Sequence, residues 1–192
     1  MIKLYGSKTS PYARRLRLLL SDHPYELVEC DLFSDEGRKK VTAVNPIAKI
    51  PFLEAEDRII FDSRNIYEYL VSKKLFPALS WDELNQLAVI DGLNDTLIHI
   101  LLLKRSDVIL SPQSFLGKSY KARIENTLTY LEALLKQGAF SNWNYLSICL
   151  FSVLDWAEFR ELLKLESPYL ELRRFLLTSR DLPQAKLTDP RN

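Results

Sequence analysis

Three short polar segments lie far apart in the sequence, yet they carry groups that could together bind a small charged ligand. They are Ser10-Pro11-Tyr12, Lys49-Ile50-Pro51 and Asp62-Ser63. The first and third have the composition of helix starts, where free backbone N–H groups and a partial positive charge favour an anion. Asp62 adds an acid that can bind an ammonium group, and the Ser10 hydroxyl can donate a hydrogen bond. These three segments are therefore the candidate functional residues of the sequence.

The pattern of the first half predicts how these segments are positioned. Short β-type runs alternate with helical runs, giving a βαβ unit followed by an antiparallel hairpin. This order predicts an α/β domain with a mixed four-stranded sheet, and it brings the three segments to one edge of that sheet. In chain order the expected elements are strand Ile2–Tyr5, a helix from Pro11, strand Tyr25–Leu32, helix Asp35–Ala43, strands Pro51–Leu53 and Arg58–Phe61 across the turn Glu54–Asp57, and a helix from Asp62.

Beyond residue 76 the strand signals disappear, and the rest of the sequence is typical of helices. We therefore expect a first domain over residues 1–76, a linker over 77–81 and an all-α domain over 82–192. Ile148–Phe159 is apolar on nearly all sides, which predicts a buried central helix. Ser147 is the residue expected to cap it. In the first domain, three basic residues are expected on the side of the helix from Pro11 that faces away from its apolar stripe: Arg14, Arg15 and Arg17.

Composition excludes several classes of protein. The chain has 192 residues, of which 47% are hydrophobic and 27% charged, as in ordinary globular proteins. Its net charge of +1 gives no global field for nucleic acid or an anionic membrane. Cys30 and Cys149 are far apart and have no Cys/His cluster around them, which predicts two reduced buried thiols in a cytosolic protein and no metal site. The longest apolar stretch, Leu97–Leu103, is too short to span a bilayer.

The three segments and their flanking residues together resemble the glutathione S-transferase family, in particular small bacterial transferase-like proteins with a Ser-Pro-Tyr loop. The resemblance covers essentially the whole chain. It implies a thioredoxin-like N-terminal domain followed by an all-α C-terminal domain. The motifs that carry it are Tyr5-Gly6-Ser7 through Ser10-Pro11-Tyr12, then Asn45 to Pro51, then Phe61 to Leu70.

The resemblance also implies a role for each polar segment. Glutathione is expected as the co-substrate, with no other cofactor. Ser63 and its helix start are implied to hold the γ-glutamyl carboxylate, while Asp62 takes the ammonium group. Ile50, before a proline implied to be cis, presents its backbone to the cysteinyl part, and Lys49 reaches the glycine carboxylate. Three other cations are equally good partners for that carboxylate: Arg38, Lys39 and Lys40.

Ser10 is implied to be the catalytic residue, donating a hydrogen bond to the thiolate of bound glutathione. The Thr9 hydroxyl and Tyr5 are alternatives to Ser10. In a purely structural interpretation, Ser10 is only the N-cap of its helix, and Asp62-Ser63 only caps another helix. Relatives that catalyse thiol-disulfide exchange carry cysteine where Ser10 stands, so reductase chemistry is disfavoured. The electrophile is implied to lie between the domains, against the first helices of the second one. The residues that are candidates to line its site are Asp91, Asn94, Asp95, His99 and Arg105. Polar residues at such positions could equally form hydrogen bonds across a domain or dimer interface.

The first hypothesis for function is therefore a cytoplasmic, homodimeric glutathione transferase that acts on a small electrophile, as in detoxification. The alternative is a binding or regulatory protein of the same fold, similar to the stringent starvation protein A group that associates with RNA polymerase. Because the Ser10, Lys49, Ile50, Asp62 and Ser63 positions are intact, the first hypothesis ranks higher. No nucleic acid or membrane partner is expected.

Overall fold

The computed structural model describes residues 2–56 and 58–192; Met1, and Asp57 of the expected turn, lie outside the described residues. The chain forms two units, one of residues up to Ser80 with Gln184–Asn192 and the other of Trp81–Pro183. The first unit is α/β and the second is helical, which confirms the predicted fold class. The C-terminal segment and residues 77–80 group with the first unit, whereas the sequence placed them in the second domain and the linker.

The first unit contains one four-stranded mixed sheet in the order β2-β1-β3-β4. Strand β1 runs parallel to β2, and β3 runs antiparallel to both β1 and β4. The elements are β1 (Ile2–Gly6), α1 (Pro11–Leu19), β2 (Tyr25–Glu29), α2 (Asp35–Thr42), β3 (Phe52–Ala55), β4 (Arg58–Phe61) and α3 (Ser63–Ser72).

The strand register brings three chain segments to the same end of this sheet. Tyr5 of β1 pairs with Phe52 of β3, and Phe52 pairs with Phe61 of β4. The loop after β1, the segment that enters β3 and the residue that follows β4 therefore all leave the sheet beside this row. This is the edge that the order of strands predicted.

Opposite faces of the sheet bury different side chains, because successive residues of a strand alternate sides. Leu4 and Leu53 are cross-strand partners and are fully buried, while α1 and α3 pack against each other and against β1 and β3. Phe52, next to Leu53 in β3, lies on the other face and packs in a second buried cluster with Cys30 and Val41. The sheet therefore has apolar packing on both faces, as in other α/β domains.

Gly6 allows α1 to lie close to the end of β1. A Cβ atom built on Gly6 would lie 2.7 Å from the Cβ of Ala13, closer than real Cβ contacts occur. The same atom would lie 4.0 Å from the Cβ of Pro51. Since the second distance is an ordinary van der Waals contact, it is the close approach of α1 to the end of β1 that requires glycine here.

The three arginines of α1 are buried, contrary to the expectation for a solvent-facing side. Arg14, Arg15 and Arg17 are 2%, 0% and 8% exposed. Arg14 binds the C-terminal segment, since its Nη2 donates to the Ala185 carbonyl at 3.2 Å and its Nε to Thr188 Oγ1 at 3.4 Å. The Arg15 guanidinium stacks over the Tyr12 ring at 4.6 Å. The long side chains therefore serve packing and tertiary hydrogen bonds, a use that helical periodicity does not reveal.

The second unit is built from four long helices: α4 (Trp81–Arg105), α5 (Phe115–Lys136), α6 (Tyr145–Phe159) and α7 (Leu170–Arg180), and the short α8 (Pro183–Leu187) follows them. Residues 145–157 of α6 are all buried, which confirms its prediction as the central helix. Its buried Asp155 is paired with Arg180 of α7 at 2.5 Å. By length and composition, α4 could span a membrane, but in the structure it packs against α5 and α6.

The expectation that Ser147 caps the central helix alone, as its N-cap residue, is wrong. The N-cap is Asn144, whose Oδ1 accepts from the Ser147 N–H at 3.1 Å, while Ser147 Oγ accepts from the Asn144 N–H at 2.9 Å. This reciprocal pair is a capping box that begins the helix three residues earlier. Ser147 therefore takes part in the cap from inside the helix and not as its N-cap.

A carboxylate from a different helix caps α7. Tyr169, its N-cap residue, makes no side-chain cap bond. Instead the buried Glu132 of α5 accepts from the N–H groups of Leu172 at 2.9 Å and Glu171 at 3.1 Å. Burial acts to raise the Glu132 pKa, but these two backbone donors, with Lys136, outweigh burial and lower the pKa below its ordinary value.

We expect the helical unit to lose stability in acid through this group. A carboxyl whose pKa is depressed by folding contributes stability above its unfolded pKa, about 4.3 for Glu, and loses it as the pH falls through the folded value. Glu132→Gln should flatten this acid limb of stability against pH, measured by amide exchange of α5 and α7. An unchanged acid limb in the variant would assign it to other groups.

We expect Thr188→Val to destabilise the first unit by about 1–2 kcal/mol, because it removes the acceptor of Arg14 Nε and the hydroxyl that donates to the Gln184 carbonyl at 2.9 Å. The measurement is hydrogen exchange of the α1 amides. Thr178→Val, at an exposed position of α7, is the matched control and should change stability by less than about 0.5 kcal/mol. Equal effects of the two variants would contradict a specific role for the Thr188 hydroxyl.

Candidate functional site

Ser10 lies at the N-terminus of α1 with its hydroxyl oxygen fixed by a cap bond. Its Oγ accepts from the Ala13 N–H at 3.2 Å, and its own N–H donates to the Ser7 carbonyl at 3.1 Å. Ser10 is half-buried, and its hydroxyl hydrogen has no acceptor within residues 2–56 and 58–192. A hydroxyl can accept one hydrogen bond and donate another. The capping role and a donor role toward a ligand are therefore compatible.

The neighbouring hydroxyls of the same loop are used within the loop. Thr9 Oγ1 lies 3.1 Å from Ser7 Oγ, and the Thr9 N–H donates to Ser7 Oγ at 3.3 Å. These contacts shape the turn between β1 and α1. Thr9, the alternative to Ser10, is thus already engaged by its own loop.

Tyr5, the other alternative, directs its hydroxyl to a carboxylate of the sheet. The Tyr5 Oη donates to Glu54 Oε2 at 2.7 Å, and its ring stacks on Phe52 with centroids 4.4 Å apart. The hydrogen bond to Glu54, followed by burial, raises the pKa of Tyr5 to about 12. This phenol holds its proton and shares it with Glu54, so it is a poor donor for a second anion.

The segment before β3 presents backbone groups. The Ile50-Pro51 peptide is cis, as the resemblance implied. Ile50 is partly buried, and its N–H has no hydrogen-bond acceptor in the described part of the chain. Lys49 is exposed, and its carbonyl accepts from Asn45 Nδ2 at 2.8 Å. The other three cations considered for the glycine carboxylate are also exposed, on helix α2: Arg38, Lys39 and Lys40.

Asp62 begins α3 in an unusual backbone conformation. Its φ is 71° and its ψ is 137°, a backbone conformation that residues other than glycine rarely adopt. Its Oδ1 accepts from the Arg64 N–H at 2.8 Å, and the residue is exposed. Ser63, the first residue of the helix, is only 2% exposed. Strained residues of this kind persist where surrounding structure holds them, and they cluster at functional sites.

The candidates for the electrophile site all lie on α4, and the structure separates them by burial. Asn94 is fully buried, and neither its Nδ2 nor its Oδ1 has a hydrogen-bond partner among the described residues. Asp95, His99 and Arg105 are exposed. His99 Nδ1 lies 3.3 Å from the Tyr120 hydroxyl of α5. Along this one helix the candidates therefore range from the fully buried Asn94 to the exposed Asp95, His99 and Arg105.

Two residues that shape the site were not predicted as site residues. Asn45 is fully buried at the turn that leads to Lys49, and Gly6 sets the distance between β1 and α1. The Asn45-Pro46 dipeptide is a turn signal in the sequence, but which group the Asn45 side chain hydrogen-bonds depends on the folded loop.

Ser10 at the start of α1, Asp62 at the start of α3 and the Ile50 N–H thus lie at one end of a thioredoxin-like sheet, which a helical unit follows. Residues 4–75 match the family model for the glutathione S-transferase N-terminal domain. The chain is 30% identical over 173 residues to an uncharacterized GST-like protein, YibF, of Escherichia coli (strain K12), covering 83% of each chain. It is 29% identical over 202 residues to a probable maleylacetoacetate isomerase of Caenorhabditis elegans, covering 98% of this chain and 92% of that protein.

Solved structures share the fold over the full length. A glutathione S-transferase from Methylobacillus flagellatus, solved with GSH bound, has a TM-score of 0.83 at 24% identity, covering 99% of this chain and 100% of that one. A glutathione transferase family member from Pseudomonas fluorescens Pf-5, solved with bound glutathione, has a TM-score of 0.81 at 22% identity, covering 99% of both chains. The chain belongs to the glutathione S-transferase family.

We expect Asp62→Gly to raise the free energy of unfolding of the first unit by about 1 kcal/mol. Relief of backbone strain, about 1–3 kcal/mol, exceeds the few tenths lost at the cap and the entropy cost of glycine. Asp62→Asn keeps both the cap and the strain, so it serves as the matched control with little change. The measurement is hydrogen exchange of α3 amides, and a less stable glycine variant would show that the conformation is not strained.

Proposed function

We propose that this protein is a glutathione transferase that stabilises the thiolate of bound glutathione for addition to a small electrophile. The observation that carries the proposal is Ser10, a serine whose oxygen is fixed at the start of α1 while its hydroxyl hydrogen stays available at the edge that also holds Asp62-Ser63 and the Ile50 N–H. Membership of the family and the glutathione-bound relatives of the same fold support it.

The charges of glutathione suit the groups at this edge. Its γ-glutamyl end carries an ammonium group and a carboxylate; Asp62 supplies a negative charge for the first, and Ser63 at the α3 N-terminus supplies N–H donors for the second. The second oxygen of the exposed Asp62 carboxylate is left for the ligand, since Oδ1 accepts from Arg64. Lys49 completes the proposed set by facing the glycine carboxylate.

Ser10 is the proposed catalytic residue because it stabilises a thiolate over a thiol. Bringing a thiol pKa from about 8.5 to about 6.5 requires roughly 2.7 kcal/mol of preferential stabilisation of the anion. One charge-assisted hydrogen bond contributes about 1.5–3 kcal/mol and a helix N-terminus about 0.3–1 kcal/mol. The thiolate sulfur then forms a bond to the electrophilic atom, and the displaced electron pair leaves with the leaving group or takes up a proton.

The reacting sulfur is proposed to belong to glutathione, because the cysteines of this chain are poorly suited to react. Cys30 is 1% exposed, and burial is the main reason that its pKa is raised above the ordinary value. Cys149 is also buried. Neither is therefore an accessible thiolate. A cytoplasmic location, a homodimer and a role in detoxification remain part of this proposal.

The proposal is tested first by glutathione binding to the wild-type chain, measured by calorimetry and by the shift in unfolding temperature. A transferase of this kind binds glutathione and conjugates it to an activated aryl halide. Binding without conjugation would favour the non-catalytic binding protein, and no binding at millimolar glutathione would overturn the proposal.

We expect Ser10→Ala to bind glutathione nearly as well as the wild type, while its thiolate forms only at a pH about 1–2 units higher, since the donor hydrogen bond is gone. The measurement is the ultraviolet absorbance of the bound thiolate against pH. Tyr5→Phe is the control, and because the Tyr5 hydroxyl serves Glu54, its titration should match the wild type. A shifted titration in Tyr5→Phe with none in Ser10→Ala would exchange the two roles.

A further inference from the structure

Asn45 is a fully buried side chain whose amide makes hydrogen bonds to its own loop. Its Nδ2 donates to the Lys49 carbonyl at 2.8 Å, and its Oδ1 accepts from the Ile47 N–H at 3.2 Å. Its backbone is also engaged, with the N–H donating to the Val41 carbonyl at 2.8 Å and the carbonyl accepting from the Ala48 N–H at 2.9 Å. Asn45 is therefore held on both sides and is a rigid point from which the end of the loop is fixed.

The bond to Lys49 acts on the peptide group that contains the Ile50 N–H. A peptide group is planar, and in a trans peptide the carbonyl and the N–H point in opposite directions. The Lys49-Ile50 peptide is not among the two cis bonds of the described chain. Fixing the Lys49 oxygen on Asn45 therefore aims the Ile50 N–H away from Asn45. That N–H has no acceptor in the residues that the structure describes.

The same bond affects how well Ile50 donates. Hydrogen bonds in a chain polarise one another, so a carbonyl that accepts from an amide makes its own N–H a stronger donor, by about 10–30%. Because Asn45 is fully buried, water does not compete for the hydrogen bond from its Nδ2, so the polarisation of the Lys49-Ile50 peptide persists. A donor that is oriented and polarised before the ligand arrives loses little freedom on binding.

We propose that Asn45 is a positioning residue for the ligand, acting through the Lys49-Ile50 peptide to direct the Ile50 N–H at the cysteinyl carbonyl of glutathione. The inference rests on the proposed function. Asn45 itself does not touch the ligand. Its amide nitrogen holds the Lys49-Ile50 peptide group, and the N–H of that group contacts the ligand. The requirement is specific to a side-chain N–H donor, which an aspartate of the same shape lacks.

The test compares Asn45→Asp with the wild type on two ligands. The first ligand is S-methylglutathione, and the second is its analogue in which an alkene replaces the cysteinyl–glycine amide and so removes the cysteinyl carbonyl. We expect Asn45→Asp to lose about tenfold in affinity for S-methylglutathione and less than about twofold for the analogue. Asn85→Asp, the same change at an exposed position of α4, is the control and should bind both ligands as the wild type does.

Each result decides between this inference and the function on which it rests. Equal losses for the two ligands, or no loss for either, would overturn the positioning role and leave the proposed function standing. Failure of the wild type to bind S-methylglutathione would overturn both.

A measurement on the wild-type chain keeps the inference testable even where Asn45→Asp does not fold. In amide exchange followed by NMR, the Ile50 N–H should exchange rapidly in the free protein and become protected when S-methylglutathione binds. An Ile50 amide that is protected without ligand, or that stays unprotected at saturation, would overturn the positioning role.

Discussion

The cross-strand row of Tyr5, Phe52 and Phe61 is the constraint on which the candidate site depends. These residues are paired in register across β1, β3 and β4. Each is followed or preceded by a segment whose groups are proposed to bind the ligand. A shift of one residue in any pairing would turn every side chain of that strand to the other face of the sheet. The two buried clusters, around Leu4 with Leu53 and around Phe52 with Cys30, oppose such a shift. Packing of the core thus determines where the polar groups of the edge lie.

At this edge the groups that start the helices are the groups proposed to bind the ligand. Ser10 caps α1 and Asp62 caps α3, and each retains one polar function that the helix does not use. A cap needs only an acceptor, so the Ser10 hydrogen and one carboxylate oxygen of Asp62 are left over. The structural and functional interpretations of these residues are therefore two uses of different atoms in one side chain. Asp62 differs in that its positive φ carries a stability cost that a glycine would avoid.

Much of this arrangement was predictable from the sequence because it depends on local signals. Pro11 after Ser10 marks a helix start, and the alternation of strands and helices fixes the mixed sheet whose edge collects the three segments. The rest depends on contacts between distant residues. Arg14 is buried because the C-terminal segment returns to α1, and Glu132 caps a helix on which it does not lie. Asn45 was visible only as part of a motif, because the partner of its Nδ2 is set by the folded loop.

The site therefore has two layers with different demands on sequence. In the first, side chains such as Ser10 and Asp62 carry the atoms proposed to contact the ligand, and residue type alone suggests their chemistry. In the second, Gly6 and Asn45 offer no atom to a ligand but fix the distance and direction of those that do. Gly6 does so by the absence of a side chain and Asn45 by a donor turned inward. Substitutions of Gly6 or Asn45 would leave the charged groups at the sheet edge unchanged and would alter only their positions. Affinity for the correct ligand therefore reports on these two residues more sensitively than net charge or fold does.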